Sequence, residues 1–277
     1  MIPHNTMSHL ARHEVMNGRW VFGIVVIALA TTNAVAADSS IVKQLDKAAD
    51  AFADRRKTAQ ESTLREFDKL AGLVSANKSL TPGARRDKLG EVSAAKSRFI
   101  RNGTFPPDDE YAELELKYWL ALNTAFMPLE KAINQAMESG DEARDKAQSL
   151  KASVESLLLG RNKVTSGSLW RGTFDRGGAT IPYHLRIQKV GAGGSFSGHV
   201  EDNPGVAGNW AYDVDGQMSG VAIEFVMTRS LRGQFKAVKA QGIVSGDRII
   251  ANVTQMTTGE VKKGRSTTGL IILKLAK

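Results

Sequence analysis

Ile181-Pro182-Tyr183-His184-Leu185-Arg186-Ile187-Gln188 alternates apolar and polar residues without a slip. Phe196-Ser197-Gly198-His199-Val200-Glu201 does so again beyond the loop Gly191-Ala192-Gly193-Gly194. A period of two turns successive side chains to opposite faces of a strand, giving one face to a core and one to water. The pattern continues downstream. Trp210, Tyr212 and Val214 alternate with Ala211, Asp213 and Asp215, and Ile223, Phe225 and Met227 with Glu224, Val226 and Thr228. Working outward, eight strands are predicted, over 167–174, 181–189, 195–201, 209–217, 221–228, 234–244, 247–255 and 267–275. Turn signals separate them, among them Asn203-Pro204-Gly205, Ser219-Gly220 and Ser245-Gly246-Asp247. Eight short strands joined by short hairpins predict an antiparallel up-and-down β-barrel. The rival arrangement, a sandwich, needs longer crossover loops than these.

Upstream the period changes to that of a helix. Ile41, Leu45, Ala48 and Phe52 fall three and four apart, and Leu64, Phe67, Leu70 and Val74 resume the stripe after a polar stretch. Thr81-Pro82 caps and opens a second helix, which Asn102-Gly103 ends. Pro106-Pro107-Asp108 opens a third, with Asp108, Asp109 and Glu110 expected to cap its positive end. Its apolar positions include Tyr111, Leu114, Tyr118, Leu122, Phe126, Leu129 and Ile133, and Pro128 is expected to kink or break it. Ser139 with Glu142 reads as a capping box for a last helix ending near Leu159. The fold class is therefore α+β, an N-terminal antiparallel helical hairpin or bundle followed by the barrel.

The first 36 residues read as a signal peptide. Arg12 and Arg19 precede the apolar run Trp20–Ala30, and Ala34-Val35-Ala36 is a small-x-small cleavage site. That run is shorter than the roughly 20 residues of a membrane span, which argues against an uncleaved anchor. The expected organisation is a signal peptide at 1–36, helices at 37–163 and the barrel at 164–277, in a secreted or periplasmic protein. The chain has no cysteine. Disulfides, thiolate nucleophiles and cysteine-ligated metals are thereby excluded.

With the strands placed, a resemblance emerges. Gly167-Ser168-Leu169-Trp170-Arg171-Gly172-Thr173-Phe174 puts a tryptophan on the first strand of an eight-stranded meander. In this it resembles lipocalin-like and avidin-like (calycin-like) barrels. Val214-Asp215-Gly216-Gln217-Met218-Ser219-Gly220-Val221-Ala222-Ile223-Glu224-Phe225 is similar to a refrain of secreted proteins from planctomycete-type bacteria, which join an Ala/Lys/Glu-rich helical hairpin to a small β-domain. The resemblance implies an architecture. It implies no activity, so no functional residue is carried over.

Three constellations are candidates for function. Trp170, Phe174, Tyr183, Phe196, Trp210, Tyr212 and Phe225 share the inward parity and form either a packed core or the lining of an apolar ligand cavity. His184 and His199 are the only histidines beyond residue 36. If the loop at 190–193 closes its hairpin symmetrically, they sit opposite one another on the outer face, with Arg171 beside His184 and Glu201 two residues along. Arg171 there disfavours a cation, so no metal is expected. The third constellation is basic: residues 164–277 hold 14 Lys and Arg against 8 Asp and Glu, whereas 37–163 hold 21 against 20. The positive charge clusters at Arg229, Arg232, Lys236 and Lys239, and at Lys262, Lys263 and Arg265.

No catalytic motif stands where its chemistry needs it, and neither an enzyme nor a cofactor is expected. Nucleic-acid stacking needs exposed aromatics, and these face inward. The leading expectation is an exported, non-enzymatic interaction or structural module whose basic barrel engages an anionic envelope component or a protein partner. The alternative is a binding protein holding a small apolar molecule inside the barrel.

Overall fold

The structure is a computed structural model that describes residues 16–158, 164–175, 178–207, 209–233, 236–257 and 267–276. Four helices come first: α1 (Met16–Ala76), α2 (Pro82–Asn102), α3 (Ala112–Met137) and α4 (Asp141–Leu158). Eight strands follow: β1 (Leu169–Asp175), β2 (Thr180–Val190), β3 (Ser195–Asp202), β4 (Trp210–Ser219), β5 (Ala222–Arg232), β6 (Lys236–Ser245), β7 (Arg248–Thr257) and β8 (Thr267–Leu275). Every predicted strand is present. The apolar run at 20–30 and the predicted cleavage site lie within α1, and residues 1–15 lie outside the described residues. Among the described residues, no helix is long and apolar enough to cross a membrane.

The helix signals were mostly sound. The Thr81 hydroxyl accepts from the Ala84 N–H, Pro82 stands in the first turn, and Gly103 ends α2 in the left-handed region (φ 61°), its N–H donating to the Phe99 carbonyl. The polar stretch at 53–63 does not interrupt α1, because its Ala, Arg, Lys, Gln and Glu residues are good helix formers. Pro128 does not break α3, which is helical on both sides of it. Two caps differ from expectation. Asp108 makes no side-chain cap; a short 3₁₀ turn over Asp109–Tyr111 intervenes, and Glu110 instead pairs with Lys88. No capping box forms at Ser139, whose hydroxyl donates back to the Gln135 carbonyl.

The chain divides into two compact units: residues 1–50 with 128–151, and residues 51–127 with 152–277. In the first, Leu45, Leu129, Ile133, Ala136, Ala143 and Ala147 are buried, and Lys146 pairs with Asp46 at 2.5 Å. The helical part of the second is held by aromatic side chains. Phe99 meets Phe105 at a centroid distance of 4.9 Å and Tyr118 edge-on at 5.0 Å, and Phe67, Tyr111 and Trp119 extend the cluster.

The eight strands of the second unit close into a barrel in sequence order, β8 returning to β1 through pairs such as Trp170↔Leu275. Its interior is one continuous apolar cluster that includes Trp170, Phe174, Tyr183, Phe196, Tyr212 and Phe225. Large and small residues alternate inside. A Cβ at Gly216 would lie 2.2 Å from the Phe196 ring, and one at Gly269 would lie 2.5 Å from the Phe174 ring. The glycines are the spaces the aromatics fill.

The outer face has one dry region. Ile243 and Ile250 are cross-strand partners of outward parity, yet both are fully buried. Beside them the Arg248 Nη1 donates to Glu115 Oε2 at 3.1 Å, and the Ser245 hydroxyl donates to Glu115 Oε1 at 2.7 Å. Arg248 and Glu115 are themselves almost wholly buried. The N-terminal half of α3 therefore lies over this side of the barrel, within the same unit.

Candidate anion-binding groove

On the opposite outer flank, β1 to β5 present two rows of side chains. Strand register places Leu169, Arg186, His199, Asp213 and Arg229 in one row. The adjoining row holds Arg171, His184, Glu201, Ala211 and Arg232. Together with Leu231, most of these line a concave groove of about 290 Å³. That is the lower end of the size range of small-molecule sites.

The predicted register holds across the first hairpin, where Arg171 does pair with His184. It fails across the second. His184 pairs with Glu201, and His199 with Arg186. The cause is a loop centred on Gly193, one and a half residues later than the symmetric count assumes, less one position taken back by the irregularity between Ile187 and Lys189. The histidines are therefore diagonal, not opposite. His199 Nδ1 lies 2.6 Å from Asp213 Oδ1, an ion-pair distance, and Nε2 meets the Gln188 side-chain amide. Among the described residues no group of three or more acidic or histidine side chains is arranged to hold a metal ion.

Electrostatically the groove is positive. Asp213 is neutralised by Arg229, whose Nη2 and Nε lie 2.5 and 2.6 Å from Oδ2. Arg171, Arg186 and Arg232 then face a single carboxylate, Glu201, within the groove. Arg171 and Arg186 are exposed and have no hydrogen-bonding or ion-pair partner among the described residues. Arg232 donates to Asn209 Oδ1 at 2.5 Å. His184 is held below the usual imidazole range, first by burial, then by the Arg171 and Arg186 charges, with Glu201 opposing. A bound anion would add to the Glu201 effect.

Lys239 pairs with Glu224 at 2.9 Å, which also accepts from Gln241 and is lowered in pKa by both bonds. Lys236 opens β6, and its side chain is not described. Lys262, Lys263 and Arg265 lie outside the described residues. Arg186, Leu169, Ala211 and Leu231 were not singled out from the sequence. Correct register would have found the first three, since each directly opposes or adjoins a histidine row position.

Six of the seven interior aromatics are buried, and Trp210 is half-buried, packed against Tyr212 at the end of the cluster. The Tyr183 hydroxyl is buried with no hydrogen-bond partner among the described residues, and desolvation, then the nearby Asp202 carboxylate, push its pKa far above the phenol range.

No protein-family model matches the sequence, and no curated protein matches it. Among solved structures the chain is similar to shwanavidin, an avidin-like barrel. The apo protein and a mutant in complex with biotin are each 20% identical, and a low-affinity mutant is 19% identical. Each alignment has a TM-score of 0.34 and covers 42% of this chain and 99% of the other.

Proposed function

We propose that this protein is an exported, non-enzymatic binding module that takes an anionic component in the groove on the outer face of its barrel. The observation that carries the reading is the pair Arg171 and Arg186: two exposed guanidinium groups, with no ion-pair partner among the described residues, line a concave surface together with His184. Arginine's fixed fork of donors suits carboxylate and phosphate oxygens. The net positive charge of residues 164–277 adds long-range attraction. Export rests on the basic, apolar and small-x-small sequence of residues 12–36.

Calorimetric titration of the full chain with inorganic phosphate tests the site. Binding is expected to weaken at least tenfold when salt rises from about 0.05 to 0.5 M, as screening shortens the reach of exposed charges. Arg171→Gln with Arg186→Gln is expected to abolish it. Phosphate binding that ignores both salt and the double substitution refutes the reading. For export, the intact mass of the protein recovered from its own cell envelope is expected to begin at Ala37; a mass that includes residues 16–36 refutes that half.

One observation favours the interior as a second site. The orphaned Tyr183 hydroxyl lies among Asp202, Tyr212 and half-open Trp210, where a small molecule with a polar end would complete its hydrogen bonding. Native mass spectrometry before and after organic extraction separates this from a solidly packed interior. A removable extra mass supports it, and an unchanged mass refutes it.

A further inference from the structure

The groove is not lined by charge alone. Leu231 is 46% exposed, one of six large apolar side chains left in solvent among the described residues, and of these six it alone lines the groove. It stands with Ala211, an outward-facing residue that is nonetheless buried, at the β4–β5 end. The guanidinium groups of Arg171 and Arg186, unpaired among the described residues, stand at the β1–β2 end. Between the two ends Glu201 faces His184 with no ion-pair partner among the described residues. Its negative charge repels a second anionic group placed midway along the groove. The Arg232 fork at the far end is already tied to Asn209.

Resting on the anion reading above, we infer that the ligand is a single-headed organic anion with an apolar body, rather than a polyanion. A carboxylate or phosphate monoester head lies across Arg171 and Arg186, diagonal neighbours on adjacent strands. An aliphatic or aromatic body lies along the groove toward Ala211 and Leu231, covering the exposed leucine. Glu201 makes the site selective by penalising the wrong ligand. The groove's volume of about 290 Å³ suits a free solute, and the same head and body also occur together in an anionic lipid.

Titrations of the full chain with acetate, octanoate, octanol and inorganic phosphate, all below any micellar concentration, test this. Octanoate is expected to bind at least tenfold tighter than either acetate or octanol. Leu231→Ser is expected to bring octanoate to within threefold of acetate while leaving acetate unchanged. Arg171→Gln is expected to weaken acetate and octanoate alike. If acetate or phosphate binds and octanoate is within threefold of acetate in the parent protein, the apolar body is wrong and the anion reading stands. If acetate, phosphate and octanoate all fail to bind at millimolar concentration, both are wrong. Co-sedimentation with phosphatidylglycerol vesicles without octanoate binding places the head group on a membrane and overturns the free-solute assignment.

Discussion

Replacing Glu115 with alanine isolates the contact that joins α3 to the barrel. In the native protein the Arg248 guanidinium is buried, with Nη1 bonded to Glu115 Oε2 at 3.1 Å and to the Pro106 carbonyl at 3.4 Å. Nη2 lies 3.6 Å from Asp109, a half-exposed carboxylate that cannot replace Glu115. Glu115→Ala leaves a charged group sealed from water without its main counter-ion, and removes the acceptor of the Ser245 hydroxyl. Orphaning one member of a buried ion pair costs about 3–5 kcal/mol. With an m-value of about 2–3 kcal/mol/M, the urea midpoint should fall by about 1–2.5 M at unchanged slope. Asp109→Ala should cost less than about 1 kcal/mol, since that carboxylate is screened by solvent. The double substitution Glu115→Leu with Arg248→Met should recover stability to within about 1–2 kcal/mol of the parent, because it removes both charges together. A midpoint shift below about 0.3 M for Glu115→Ala would refute the claim that the pair is desolvated.

Four further outcomes are expected. Gly216→Ala drives a methyl group into the Phe196 ring and toward the Glu224 carbonyl at 2.6 Å, and should cost about 1–3 kcal/mol by thermal or urea unfolding. Part of that cost should vanish in a Phe196→Leu background, since the two changes share one clash. The His184 imidazole titrates below 6.5 in the folded chain. As pH falls through 6.5 the unfolded chain takes up the proton first, so this residue lowers stability from there down to its folded pKa and no further. An anion in the groove should raise the His184 pKa, so its affinity rises as pH falls; NMR titration of the Cε1 proton with and without phosphate reads both. Thr81→Ala removes the α2 cap and should cost about 1 kcal/mol, read by urea unfolding.

The alternation around Ile181–Glu201 was enough to place all eight strands, because period-two patterning reports which face each residue serves. The first hairpin's register was legible too, since Arg171 and His184 do face one another. The second was not. The pairs beyond the irregularity at Ile187 are displaced by two residues from a symmetric closure, and an even displacement leaves parity intact, so each side chain from Tyr183 to Ile187 keeps its face while its partner changes. The predicted histidine pair thereby becomes a diagonal, with Glu201 and Arg186 as the facing residues. Glu115 and Arg248 are 133 positions apart, and nothing local marks either as buried. Ile243 and Ile250 likewise read as outward strand positions, and only the packing of α3 makes them dry. Ser139 shows the opposite limit: a good cap signal lost to a competing local bond with Gln135.

The closure of β8 onto β1 has a consequence for how such a barrel can be inherited. The Ala276 N–H donates to the Leu169 carbonyl at 2.8 Å, so the chain enters and leaves the barrel side by side. Adjacent ends make a fold portable: it can be spliced into a surface loop of another protein, or reopened at any hairpin, with a short bridge and no change to its strand order. Among the described residues the sheet closes on itself, so most of its backbone pairing is spent internally, and a transplanted copy would carry its side-chain groove with little tendency to stick by backbone pairing.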